Sequence, residues 1–562
     1  MSRRKPKSRP RREPEAPRRL RLRGLELPLE AAWEEPAEAL REAAAARLGL
    51  EPGDLEALRL VRRSLDLRGR ARGRPPRWSC QADVVLAAGA RSKKLARLLR
   101  SGHARPTPQP ASLEVAELHD DFRGARPRRV LVVGSGPGGV FAALTFALAG
   151  LEVRVLERGV PIEERSPRLA RFHRSRVVDR ESNLLYGEGG AGTYSDGKLY
   201  TRVDDPLEVK VLEELVRAGA REDILWDARA HIGTDRLHAV LPALRRRLEE
   251  LGVEFLWSTR FEGLVKDERD PSRIRAVRSS AGELEAEALV LAIGHSAEDS
   301  WRVLHEDGVP LESKPFQLGI RVEHPQELID HARYGGEPWG ARLGAASYNL
   351  VRKAEGGVPG AHSFCMCPGG RIVASIHRDG MLCTNGMSNS THASSWANSA
   401  VVTTWGPEHF GTEPFGAVDF RARLEEAFFE AGGGDFSAPA QRVPDFLEGR
   451  ASREVGRTSY PFGAVPARLD RLLPQEGVRA LRQALAHFGG LLEGFDGPAG
   501  LLVGVESRSS GPVRLPRDPA TRRAPGFRNL FPVGEGAGYA GGIMSAALDG
   551  IHSAQALLRD GL

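Results

Sequence analysis

"RRVLVVGSGPGGVFAALTFALAGLEVRVLERG", residues 128–159, decides the fold of this 562-residue chain. The apolar run Val130–Val133 predicts a buried strand. It meets Gly134-x-Gly136-x-x-Gly139, and an alanine-rich apolar stretch then predicts a helix as far as Ala149. Gly150 ends that helix, and Val153–Leu156 predicts a second strand closing on Glu157. Each glycine has a physical reason in a βαβ unit. Gly134 makes the tight turn, Gly136 lets backbone approach a pyrophosphate, and Gly139 lets the helix pack on the strand. The helix N-terminus would face phosphate and Glu157 would take the ribose hydroxyls. An acid there repels a 2′-phosphate, so NADP is not expected at this site.

Two other stretches carry the same letters. Gly187-x-Gly189-x-x-Gly192 lacks a good preceding strand, and Gly536-x-Gly538-x-x-Gly541 has too little chain after it for a second βαβ unit. Neither predicts a separate nicotinamide domain.

The rest of the chain chooses between NAD and FAD. Residues 253–296 read as a string of strands, the last of them buried and ending in Gly294. In "FRNLFPVGEGAGYAGGIMSAALDGIHSAQALL" (527–558), a strand at Leu530–Val533 leads into Gly534-Glu535-Gly536, and a helix follows from about Gly542. This order resembles flavoproteins of the glutathione-reductase type, in which the late acid binds the flavin ribityl chain. The resemblance implies FAD rather than NAD. "NLLYGEGGAGTYSDGKLYTR" (183–202) stands where such proteins lay a glycine-rich loop along the cofactor. Five of the eleven residues from Gly187 to Gly197 are glycine, which lets backbone N–H groups reach an anion. Tyr194, Ser195, Asp196 and Lys198 would then sit near the flavin ring.

A closer resemblance rests on more motifs. They are the loop 183–202 with "HIGTDRL" (231–237), "VLAIGHSAEDS" (290–300), "SFCMCPGGRIV" (363–373), "TNGMSNS" (384–390), "GVESRSSGPVRL" (504–515) and "PVGEGAGYAGGIMSAALDGI" (532–551). Together these resemble a bacterial and plastid family of FAD-dependent dehydrogenases with an FAD-dependent C-terminal domain. "LVRRSLDLRGR" (60–70) resembles that family's N-terminal domain. The resemblance implies an FAD-dependent oxidoreductase acting by hydride transfer, and it implies no particular substrate.

Composition bounds the alternatives. Hydrophobic residues make up 41% and charged residues 28%, as in ordinary folded chains. No apolar run reaches the 18 or so residues of a membrane span, and the N-terminus lacks a secretory signal's apolar core. Four cysteines, with no zinc spacing, fit a reducing cytoplasmic setting and no metal site. The net charge of +7 is concentrated at one end: residues 1–24 hold eleven Lys or Arg against two Glu. That tail predicts disorder and only weak, nonspecific contact with nucleic acid.

The expected architecture is α/β: a Rossmann-like FAD-binding fold of the glutathione-reductase type, with an inserted α+β substrate domain and a small N-terminal α+β domain. Residues 1–18 form the tail and 19–105 the N-terminal domain, followed by a proline-rich linker at 101–111. Residues 127–314 form the first FAD part, 315–500 the substrate domain and 501–562 the return segment. Expected FAD contacts are Gly134, Gly136, Gly139, Glu157, Arg158, Gly190, Gly192, Ser195, Lys198, Gly294, Gly534, Glu535, Gly541, Gly542 and Ile543. Candidates for chemistry are Lys198, Ser195 and Arg508. Glu506, Arg508 and Arg514 could clamp an anion or pair internally. Cys365 and Cys367 read as a redox dithiol or, more commonly, as buried structural cysteines. Asn385, Asn389 and His392 offer polar contacts, while His231, His238, His295 and His377 are scattered. The expected partners are a small-molecule substrate and an external electron donor or acceptor. The rival functions are an RNA-modifying flavoprotein and a flavin-binding sensor without turnover.

Overall fold

A computed structural model describes residues 18–29, 37–68, 75–109, 111–113, 127–201, 203, 205–335 and 343–561. The expected disordered tail lies outside these residues, apart from Arg18. The chain divides into two compact units. One takes the residues up to 111 together with 225–230; the other takes 112–224 and 231–562.

The first unit begins with β1 (Arg19–Pro28), whose leucines set its register. Leu20 and Leu22 are buried, then Leu25 and Leu27, so the two-residue period slips by one in between. The pairing with β3 (Arg77–Leu86) shifts there, at a bulge holding Gly24 with φ +66. The bulge keeps all four leucines on one face. Helix α1 (Ala37–Leu48) covers that face with Leu40, Ala44 and Leu48, and the short α2 (Leu95–Arg100) adds Leu95 and Leu98 to the same core. The strand β2 (Leu55–Asp66) pairs with β3 along its length. The expected linker is partly wrong: Ala104–Pro106 forms β4 and pairs with β1. Ala104 is buried, and proline is tolerated at an edge where no N–H donor is needed. The sheet order is β2-β3-β1-β4. Leu225–Ala230 completes this unit. Arg63 of β2 lies between the rings of Trp78 and Trp226, at 4.3 and 4.4 Å, and pairs with Asp227 at 3.0 Å.

In the second unit β5 (Arg129–Val133), α3 (Pro137–Leu148) and β6 (Glu152–Leu156) form the βαβ unit. Five parallel strands stand in the order 530–532, 288–291, β5, β6, 254–256. Val130–Val133 of β5 and the strand 288–291 are apolar and buried, as parallel strands covered on both faces require, while β6 keeps Arg154 part-exposed between buried Val153 and Val155. The C-terminal helix Ile543–Asp560 crosses α3 so closely that a side chain at Gly550 would lie 2.1 Å from Gly138 O.

A second, seven-stranded sheet runs in the order 351–352, 361–367, 396–405, 316–325, 501–506, 438–442, 464–466. The expected boundary at 500/501 therefore falls one strand early. Leu501–Glu506 pairs with Phe316–Pro325 and Ala438–Arg442, not with the parallel sheet. Its six residues are all buried, a pattern that fits either sheet, and only the partners decide.

His324, in this sheet, is fully buried against Phe495 and its Nε2 bonds Phe495 O at 2.7 Å. Burial pushes it down to about 4. An imidazole held neutral in the fold takes a proton on unfolding below about pH 6.5, so its contribution is present above that pH and is lost as pH falls toward 4. Relative to His324→Gln, the natural chain is expected to lose about 2 kcal/mol between pH 7.5 and pH 5. Urea unfolding of both chains at the two pH values measures this, and equal losses would refute it.

Candidate functional site

Three glycine stretches converge in the second unit. Gly134 has φ +104, and a side chain there would meet Ala292 O at 2.3 Å. At Gly139 the obstacle is Gly134 O, at 1.9 Å. These two glycines are required by the turn and by the helix–strand contact. Gly136 differs: it is the N-cap of α3, with φ −71, and a side chain there would meet nothing within 4 Å. The loop at Gly187–Lys198 lies against this turn. Gly189 N–H donates to Ser135 O at 3.1 Å, and a side chain at Gly190 would reach Gly136 Cα at 3.4 Å. Gly192 faces Ile543, the first residue of the C-terminal helix, at 3.1 Å. Gly541 and Gly542 just before that helix border open space. Gly294 and Gly536 abut, with 2.6 Å between a Gly536 side chain and Gly294 O.

Glu157 is buried where the stretches meet. Its Oε2 accepts from Ser135 N (3.0 Å) and Ser135 Oγ (2.7 Å), and its Oε1 from Gly159 N (2.9 Å) and Gly187 N (3.1 Å). The carboxylate thus ties the first glycine turn, the end of β6 and the glycine loop together. The sequence predicted only a ribose ligand here. Arg158 is also engaged: it forks onto Asp299 at 3.0 and 2.8 Å, reaches Glu181 at 2.8 Å and lies over Tyr186 at 4.2 Å.

Glu535 follows the strand 530–532, and Gly534 is fixed beside it by Asp549, at 2.7 Å. Among the described residues the Glu535 carboxyl has no hydrogen-bond partner. Burial pushes it up to about 8, with Lys314 opposing. An unpartnered acid beside open backbone, a bare helix N-terminus and an open Gly136 fit a long ligand bearing hydroxyls and phosphates, which is the chemistry of FAD.

The expected catalytic candidates divide. Ser195 is spent on its own loop: its Oγ donates to Gly192 O (2.7 Å) and accepts from Gly197 N (3.0 Å). Arg508 is no anion clamp. It is buried, with Nη2 on Glu425 Oε2 at 2.6 Å and Nη1 on Ser296 Oγ at 2.9 Å. Glu506 pairs instead with Arg321, at 3.6 Å, and Arg514 is exposed over Tyr539. The three residues of that motif go to three different places.

Lys198 turns its ammonium to Asp196 Oδ2 (3.1 Å), to Met366 O and toward Cys365 Sγ (3.9 Å). Burial lowers it, but the two cysteine sulfurs and Asp196 outweigh burial and hold it up. Asp196 also meets His392 Nε2 at 3.3 Å, and His392 stacks on His231 at 4.2 Å. The ligand atoms of Asp196, His231 and His392 lie within 4.8 Å of one another, so one of the scattered histidines, His231, comes to lie beside His392. Lys198 already supplies the cation beside Asp196, and we assign no metal to the group. Asn385 turns back on its own strand, accepting from Gly386 N at 2.7 Å. His295 and His377 are buried beside Arg508 and Arg421, and burial followed by those cations holds both below the usual range. His238 packs edge-on to Tyr194. Sequence reasoning missed the Lys198–Cys365 contact, and no local spacing signals it.

Such a fold and cradle define a dinucleotide-binding flavoprotein. A family model described as "FAD-dependent protein, C-terminal domain-like" matches residues 315–509, and one described as a domain of unknown function matches 21–85. An uncharacterized protein of Clostridium beijerinckii is 36% identical over 515 residues, covering 91% of this chain and 94% of that protein. This chain belongs to the family of FAD-dependent proteins that carry this C-terminal domain, and FAD is its cofactor. A probable electron transfer flavoprotein-quinone oxidoreductase, YdiS of Escherichia coli, is 25% identical over 241 residues, 39% of this chain and 48% of that one. Among solved structures, L-proline dehydrogenase from P. horikoshii aligns with TM-score 0.32 and 11% identity, covering 77% of this chain and 93% of that one. Glycine oxidase from Geobacillus kaustophilus aligns at 0.31 and 14%, covering 78% and 96%. Both scores are too low to argue from. Among the described residues no helix is long and apolar enough to cross a membrane.

Proposed function

We propose that this protein oxidises or reduces a small molecule by hydride transfer at non-covalently bound FAD, within a glutathione-reductase-type arrangement. Bound FAD supplies the hydride chemistry. The observation that carries the reading is the cradle: open Gly136, Gly541 and Gly542 beside the unpartnered Glu535. Backbone N–H groups at the start of α3 would hold the pyrophosphate. Glu535 would accept from ribityl hydroxyls. The N-terminus of Ile543–Asp560 offers positive potential where a reduced flavin gathers negative charge. Lys198 acts differently from the sequence expectation. Its charge is shared with Asp196 and the cysteine strand, so it positions that strand against the loop.

The open glycine gives a test that separates binding from folding. Gly136→Val fits its own backbone and its Cβ meets no protein atom within 4 Å, so the variant is expected to fold with an unchanged melting temperature as apoprotein. It is expected to purify colourless, because the added methyls fill the cradle. Gly139→Val is expected to misfold, since Gly134 O stands 1.9 Å from its Cβ. A yellow Gly136→Val protein would refute the placement of FAD. The activity itself is tested by anaerobic metabolite screening, read as bleaching of the flavin's visible absorbance.

Among the described residues one βαβ nucleotide unit is complete, and FAD takes it. NADH and NADPH must then enter without a helix N-terminus for their pyrophosphate, and a misplaced nicotinamide loses rate. Flavin reduction by either is expected to be slow and weakly saturating, well below about 10 per second. Stopped-flow reduction across nicotinamide concentrations checks this, and fast saturating reduction would overturn it.

A further inference from the structure

We propose that Cys365 and Cys367 form a redox-active dithiol that reduces small-molecule disulfides, with Cys365 the attacking thiolate and Cys367 the resolving thiol. The proposal goes beyond the flavin reading and does not rest on it.

Four observations converge on the pair. The strand Ala361–Cys367 loses register between Phe364 and Cys367, so Cys365 sits on a bulge. Its φ is +43, a left-handed conformation that a side chain rarely adopts without cause. Cys365 is part-exposed while Cys367 is fully buried, the asymmetry of an attacking and a resolving thiol. The Lys198 ammonium, anchored on Met366 O between the two cysteines, stands 3.9 Å from Cys365 Sγ.

The surroundings favour a thiolate at one position only. Arg321, wholly buried, donates to Cys365 O at 2.9 Å, and Cys367 Sγ lies 3.3 Å from the same oxygen. The charged groups facing Cys365 are Lys198 and Arg321 against Asp196 and Glu506. A hydrogen bond from the Cys367 thiol, then Lys198 and Arg321, outweigh burial and Asp196 and hold Cys365 well below the usual thiol range; Cys367 is held well above it. The other two cysteines provide an internal contrast. Burial pushes Cys80 up to about 11 and Cys383 up to about 12, as for inert core thiols.

The chemistry balances. The Cys365 thiolate attacks one sulfur of a small disulfide RSSR, forming a Cys365–S–S–R bond as RS⁻ leaves. Cys367 gives its proton to the released RS⁻ and attacks Cys365 Sγ, breaking the mixed disulfide and expelling the second RS⁻. The protein loses two electrons and one proton; RSSR gains both and becomes RS⁻ and RSH.

The test uses the full-length protein equilibrated anaerobically in glutathione buffers of stepped oxidised-to-reduced ratio, then acid-quenched and alkylated. Both cysteines lie on one tryptic peptide, Ala354–Arg371, which holds no others. In the natural chain this peptide is expected to lose two hydrogens progressively as oxidised glutathione rises, with Cys80 and Cys383 unchanged. Cys367→Ser should stop at one glutathione on Cys365, and Cys365→Ser should take up none. Lys198→Met should slow iodoacetamide alkylation of Cys365 at pH 7 by roughly tenfold, and Lys198→Arg should restore most of it. Flavin content and melting temperature of each variant, read in parallel, identify any that misfold. The titration of the natural chain needs no substitution. If both thiols persist at every ratio and alkylate only after unfolding, the dithiol is refuted. A yellow protein with inert thiols sinks the dithiol and leaves the flavin reading. A colourless protein whose disulfide follows the buffer does the reverse.

Discussion

Replacing Glu157 by alanine lowers stability and empties the protein of FAD together. The carboxylate accepts four hydrogen bonds from three chain segments, and three of the donors are backbone N–H groups of Ser135, Gly159 and Gly187. Removing it strands those donors in a buried place, at about 1–3 kcal/mol each. The expected loss is about 3 kcal/mol or more, read by urea unfolding of the apoprotein. FAD retention falls with it, because the glycine turn and the glycine loop are no longer held at one spacing. Glu157→Gln should be intermediate: with its oxygen kept on Gly159 and Gly187 N–H, its NH2 can donate to Ser135 Oγ but opposes the Ser135 N–H. If Glu157→Ala lost FAD while the apoprotein kept its stability, the carboxylate would serve the ribose alone and the scaffold account would fail.

Arg508→Met is expected to be strongly destabilising. Arg508 and Glu425 are each 1% exposed at the side chain, and Arg421 is 0% exposed beside Glu298. The four form a buried network: Arg421–Glu298 at 2.8 Å, Arg508–Glu425 at 2.6 Å, with Arg508 also 3.8 Å from Glu298. Ser507 Oγ closes it on Glu425 at 2.5 Å. Glu298 resists its burial only because Arg421 and Arg508 hold it below the usual carboxylate range. Removing one partner leaves an uncompensated charge, and such losses run to about 3–5 kcal/mol. Denaturant unfolding of the natural chain and the variant measures it. An Arg508→Met protein with unchanged stability and a raised KM would restore Arg508 as a substrate clamp.

Much of this fold can be read locally. The stretch 128–159 carries its own strand, turn, helix and acid, because a βαβ unit is built from neighbours in sequence. Gly139 is readable for the same reason: its obstacles, Gly134 and Val132, lie within the unit, whereas a side chain at Gly134 would meet Ala292 and Ile293 from a distant strand end. What failed was non-local. Leu501–Glu506 is buried throughout, and its letters could not say which sheet would claim it. Arg508 reads as a free cation until Glu425, 83 positions away, is placed against it. The group of Asp196, Lys198, His231, Cys365 and His392 comes from four separate segments, so no spacing could announce it. Ser195 is a candidate by its place in the glycine loop, and its letters do not show that the same loop takes up its oxygen as both donor and acceptor.

Arg63, held between Trp78 and Trp226, has a consequence for biosynthesis. The N-terminal unit needs Leu225–Ala230, which leaves the ribosome more than a hundred residues after Ala111. At translation rates of about 5–20 residues per second, β2 waits several seconds with Arg63 and one face of Trp78 uncovered. The nascent chain must keep that edge available while the whole first βαβ unit emerges. A gene split at residue 111 would therefore not yield two healthy halves: the first would lack its closing segment, and the second would carry an orphaned tryptophan.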